Sequence, residues 1–191
     1  MKKLLVLLIT LAMTLNFVAC GGSEAATDAT PSSSDENTSE TIDFVEVTGN
    51  GLTFPLPADI EYVTTDEATD GMIYANEERT AVVTVSGKIE TEATSADITE
   101  EDILDSLSAG GGLSDVTLDN YDTVEQDGGT LVNAFGIGTM ENGTVMNTAA
   151  QYFFTADGSG YHFISYLYVV DAGTSLDDNI TATMSTVKFA E

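Results

Sequence analysis

Tryptophan is absent from this chain of 191 residues, and histidine and cysteine occur once each. One His and one Cys cannot build a Cys/His zinc site, a disulfide or a two-His metal face. The lack of Trp removes the usual stacking platform of a sugar cleft. Glycoside hydrolysis by a carboxylate pair would need such a cleft, plus one acid held in an apolar pocket. Basic residues are scarce as well: five Lys plus Arg stand against 32 Asp plus Glu, for a net charge of −27. Phosphate backbones must be met by clustered Lys and Arg, so nucleic acid is excluded as a partner. The acidic excess suits a salty or crowded habitat and is compatible with a cationic partner.

What the chain does have begins with an address. Lys2 and Lys3 precede an apolar stretch from Leu4 to Leu15, broken only by Thr10 and Thr14. A dozen residues fall short of the roughly 20 that a transmembrane helix needs, and fit a secretory signal core instead. Phe17-Val18-Ala19-Cys20 follows, then Gly21-Gly22-Ser23. This run resembles the bacterial lipobox, with Phe17 where Leu is usual. The resemblance implies that Cys20 takes a diacylglycerol thioether and becomes the mature N-terminus. Residues 1–19 are then a lipoprotein signal peptide, and the membrane is a partner through the lipid anchor. A lipidated Cys20 also accounts for the odd thiol of an exported protein.

Residues 20–42 hold that Cys and then a tether dominated by Ser, Thr, Asp, Glu, Gly and Ala, with Pro31. Such a composition buries too little apolar surface to offset the entropy of ordering, so disorder is expected. A single domain is expected over 43–191, a length that can bury a proper core.

Phe44-Val45-Glu46-Val47 alternates, Thr48-Gly49-Asn50-Gly51 supplies an Asn-Gly turn, and Leu52-Thr53-Phe54 resumes, which predicts a hairpin. Pro55 and Pro57 are expected to end its second strand. Met72–Ala75 and Ala81–Val85 predict a further strand pair. Thr99, followed by Glu100, Glu101 and Asp102, is a helix start; Ile103, Leu104 and Leu107 form the apolar stripe, and Gly110-Gly111-Gly112 the stop. Strands are predicted at Tyr121–Glu125, Leu131–Met140, Val145–Thr155 and Tyr161–Val170, joined by tight turns. The last is apolar on both faces, so each face of the sheet needs a cover. The covers expected are the Thr99 helix and a second helix over about Ser175–Thr186. The fold class is therefore α+β, an antiparallel meander flanked by helices on both faces.

Gly51-Leu52-Thr53-Phe54-Pro55-Leu56-Pro57-Ala58-Asp59 resembles the opening of the PsbP-like family, and the order of elements extends the likeness over Phe44 to Ala190. That resemblance implies a hairpin, a helix, an antiparallel meander, and a final helix with an apolar tail, here Met184 to Phe189. It also implies a protein that binds other proteins rather than one that catalyses. No functional residue is carried over from it.

Few residues offer chemistry. His162 alternates with Ile164 and Tyr166, the pattern of a packed residue, and no nucleophile in a motif accompanies it. Ser185-Thr186-Val187-Lys188 matches S-x-x-K but lacks the companion elements of a penicillin-binding enzyme. Gly136-Ile137-Gly138 lacks the third Gly of a phosphate loop. Asp119-Asn120-Asp122 and Asp171 with Asp177-Asp178-Asn179 are oxygen-rich without the EF-hand spacing, and solvated acidic faces are the expectation. The reading is a lipid-anchored, extracytoplasmic, non-enzymatic protein that binds an envelope protein or a small ligand, with no cofactor and no metal. Its alternatives are a carboxylate-dependent envelope hydrolase and an accessory component of an envelope transporter.

Overall fold

The structure is a computed structural model that describes residues 43–63 and 71–190. The signal segment, Cys20 and the acidic tether lie outside the described residues. The chain enters through the predicted hairpin, strands β1 (Phe44–Gly49) and β2 (Leu52–Pro57). Asn50 (φ 51°) and Gly51 (φ 82°) both take left-handed conformations at its turn, as an Asn-Gly pair readily does. β2 runs through Pro55 and ends at Pro57, as expected of the second proline, pairing the two with Glu46 and Phe44 of β1. On its other side β2 meets the short strand β11 (Lys188–Phe189) only at Thr53 and Leu52. The prolines therefore sit where β2 has an open edge, and a missing N–H there costs no ladder bond.

A larger antiparallel sheet carries the rest. Its strands are β3 (Glu61–Tyr62), β4 (Gly71–Ala75), β5 (Ala81–Ser86), β6 (Ile89–Glu90), β7 (Ser114–Gln126), β8 (Gly129–Thr139), β9 (Val145–Thr155) and β10 (Gly160–Val169). They run in the order β3-β4-β5-β10-β9-β8-β7, with β6 also paired to β10. β10 thus lies mid-sheet between β5 and β9, which is why it is apolar on both faces.

The two faces bury different sets, as a period of two requires. Phe153 of β9 and Ile164, Tyr166 and Tyr168 of β10 pack with Leu52, Phe54 and Leu56 of β2. Helix α2 (Ser175–Ser185) adds Leu176 and Met184 to that cluster. On the opposite face Ala150, Tyr152 and Phe154 pack with Ile103 and Leu107 of helix α1 (Glu100–Gly111). The first face is therefore covered by the small sheet together with α2, where the sequence led to the expectation of a helix alone.

α1 begins as its sequence dictates. The Thr99 side chain accepts from the Asp102 N–H, and Asp102 reaches back to the Thr99 N–H at 3.0 Å. Gly112 closes the helix in the left-handed conformation (φ 61°). Leu104, expected in the apolar stripe, is only half buried, while Ile103 and Leu107 are fully inside.

One polar network crosses the first core. Tyr166 donates its hydroxyl to Gln151 Oε1 at 2.8 Å, and Gln151 Nε2 donates to Asn133 Oδ1 and to the Met184 carbonyl, both at 2.8 Å. It ties three strands to the end of α2 and leaves the Gln151 amide well satisfied.

Candidate functional site

His162 stands on β10 between the two sheets, only 8% exposed. Its ring meets Phe189 of β11 edge-on at 5.8 Å and bonds the backbone of Asn50 in the β1–β2 turn. A Cβ on Gly51 would come within 2.8 Å of the imidazole. Burial lowers its pKa below the usual 6.5, and the nearby charge of Lys88 lowers it further, against the opposing Asn50 bond. A neutral ring seated under a turn fastens one sheet to the other. Its place in the fold is that of a packed residue, as the alternation predicts.

The oxygen-rich segments fare differently. Asp119, Asn120 and Asp122 do not form a loop: all three lie within β7, which is eight residues longer than the expected strand over Tyr121–Glu125. Asp119 falls at a bulge between Leu118 and Asn120. Val116 and Leu118, half buried and two apart, continue the strand period, but the flanking Asp115 and Asp119 obscure it. Asp177 sits in the first turn of α2, accepting from Asn147 Nδ2 at 3.4 Å, while Asp171 is exposed beyond β10. Among the described residues no three His, Cys, Asp or Glu come together as metal ligands would.

Other motifs resolve as structure. Ser185 ends α2 and donates to the Ala182 carbonyl, whereas Lys188 lies in β11 and pairs with Glu46 at 3.5 Å. A Cβ on Gly136 would approach the Thr117 carbonyl oxygen to 2.5 Å and Leu107 Cδ1 to 3.3 Å. That glycine lets β7 and α1 close on β8.

Two surfaces remain with geometry that can receive a partner. A cleft of about 590 Å³ opens beside β3 and the β4–β5 turn, lined by Tyr62, Asn76, Arg79 and four carboxylates, Asp59, Glu61, Glu77 and Glu78. Asn76 holds the turn, bonding Thr80 at 2.8 Å and the Ala81 N–H at 3.0 Å. All four carboxylates are exposed. None therefore sits in the apolar pocket that a carboxylate-pair hydrolase requires of one acid. The second surface is β7, the outermost strand of the large sheet, with Tyr121 47% and Val124 43% exposed. Among the described residues no helix is long and apolar enough to cross a membrane.

No protein-family model matches the chain, and no curated protein matches it in sequence. Solved structures do match. The solution structure of cyanobacterial PsbP (CyanoP) from Synechocystis sp. superposes with a TM-score of 0.57 at 15% identity, over 83% of this chain and 98% of that one. The Ran-binding protein Mog1p of Saccharomyces cerevisiae gives 0.52 at 14% identity, over 75% and 85% of the two chains. At such identity the likeness is one of fold: the domain is built like PsbP, as its opening strand and order of elements led us to expect.

Proposed function

We propose that this chain is a lipid-anchored extracytoplasmic protein that binds a protein partner or a small ligand, and that it is not an enzyme. The observation that carries the binding role is the fold shared with CyanoP and with Mog1p, a Ran-binding protein. It is an analogy of fold, and a fold can host many functions. The sandwich construction is in keeping with it: both faces of the large sheet are occupied by core, so contact with partners is left to edges and ends. The anchor rests on the sequence, where the lone Cys20 follows an apolar signal core. An accessory role beside an envelope transporter is the same activity with a different partner. The hydrolase alternative gains nothing from the cleft, whose carboxylates all face water.

Each buried CH₂ of an acyl chain contributes about 0.8 kcal/mol, so two chains hold a protein on the membrane almost permanently. Wild-type protein in its host should label with radioactive palmitate and partition into detergent. Cys20→Ser should do neither, and should accumulate as a larger precursor or be released by another peptidase. A wild type that stays unlabelled, soluble and begins at a residue other than Cys20 removes the anchor.

A further inference from the structure

Among the described residues, the longest unbroken register on an open edge belongs to β7. After its bulges it pairs with β8 without interruption from Asn120 to Gln126, opposite Phe135 to Gly129. The far edge of the same sheet is β3, two residues long, and β11 closes the small sheet with two more. Short edges are a common defence against pairing with another chain. β7 lacks that defence and carries no Lys or Pro.

The phase of the ladder says which backbone groups are free. Ala156 N–H donates to the Gly128 carbonyl at 2.9 Å, and Gly129 pairs with Thr155. Gly129 is therefore a non-hydrogen-bonded partner of β9, and turns its own N–H and C=O towards Gln126 of β7. Counting back along β7, Val124, Asp122 and Asn120 also bond β8. Glu125, Thr123 and Tyr121 point their N–H and C=O groups out into solvent. Three consecutive docking positions result, with Tyr121 and Val124 available to flank an incoming strand on opposite faces of the sheet.

Charge selects the occupant. β7 carries Asp115, Asp119, Asp122 and Glu125, and no Lys or Arg occurs anywhere between Lys88 and Lys188. A second copy pairing along this edge would set acid against acid, which is unfavourable between adjacent strands. A cationic strand meets the opposite sign there. The other sizeable open edge, β1, contains one acid, Glu46, and Lys188 already pairs with it. We infer that the outer edge of β7 over Tyr121–Glu125 receives a cationic extended segment of a partner protein by strand addition. The inference rests on the binding role above and names the chemistry of its partner.

The test uses the full-length Cys20→Ser protein and a fluorescent peptide alternating Lys and Val. Titrations should show saturable binding that weakens at least tenfold between low and physiological salt, because exposed charges are screened beyond about 8 Å at 0.15 M. Binding should slow hydrogen exchange at the amides of Tyr121, Thr123 and Glu125. Thr123→Pro removes one outward N–H without touching the β8 ladder, and should weaken binding at least tenfold. Should Thr123→Pro lower the melting temperature, the Asp122→Asn/Glu125→Gln double variant takes its place, with a several-fold loss expected. Equal binding of a Glu/Val peptide, protection at other amides, self-association through β7, or no binding at all would overturn the inference. Palmitate labelling is independent of all these outcomes, so failure at the edge and failure of the anchor are told apart.

Discussion

The titration of His162 is coupled to folding. Its folded-state pKa is lowered by burial and by Lys88, with the Asn50 backbone bond opposing. The neutral form is therefore favoured in the native protein, and the unfolded chain takes up the proton first. Stability from this group is complete above the unfolded pKa of about 6.5, and falls as pH drops through that value towards the lower folded one. Urea melts at about pH 7.5 and 5.5 should show wild type losing more stability on acidification than His162→Gln, which has no proton to gain. Equal losses in both proteins would place the acid sensitivity in the carboxylates instead. Alternation with Ile164 and Tyr166 made the packed position of His162 legible in the sequence. Its partners, Asn50, Gly51 and Phe189, lie over a hundred residues upstream and 27 downstream in the numbering, and no local pattern could name them.

Among the elements, α1 was the most legible and its energetic weight is the easiest to test. The cap, the acidic first turn and the terminal glycine are local chemistry, so Thr99 to Gly112 folds as it reads. Leu107 is 2% exposed and packs with Val132, Ala134, Ala150, Tyr152 and Phe154 from two strands. Leu107→Ala should destabilise the domain by about 2–4 kcal/mol in denaturant melts, from lost transfer energy plus the cavity left behind. An effect near zero would detach α1 from the sheet. β2 and β7 were less legible, for opposite reasons. Pro55 signalled an end that came only at Pro57, because the missing neighbour leaves its absent N–H unneeded, and the Asp residues of β7 hid the first part of a strand whose outer side faces water.

At the scale of the molecule, charge is the dominant feature. Against a net −27, Lys188 to Glu46 is the ion pair within the described residues, and both partners are well exposed. Such a pair contributes little, about 0–1 kcal/mol. Repulsion among the carboxylates should therefore outweigh attraction, and screening it should stabilise the fold. Raising NaCl from about 0.01 M to 0.5 M should raise the melting temperature, by roughly 2–4 °C per kcal/mol relieved in a domain of this size. A melting temperature that falls with salt would mean that attractive pairs dominate. The layering belongs to this scale too. Apolar residues on both sides of β10 required a cover on each face, and the structure supplies α1 to one and the β1–β2–β11 sheet with α2 to the other.

Local chemistry in the sequence determined the Asn-Gly hairpin, the caps of α1 and most of the strands of the meander. Each depends on residues within a turn or two of one another. Only the tertiary structure decided that β10 sits mid-sheet, that Gln151 joins Tyr166 to Met184, and that β7 is an edge. Those facts depend on which strand lies beside which, and strand order is set by burying both faces of one sheet at once. A strand's own residues record how much of it is buried, but not which neighbour buries it.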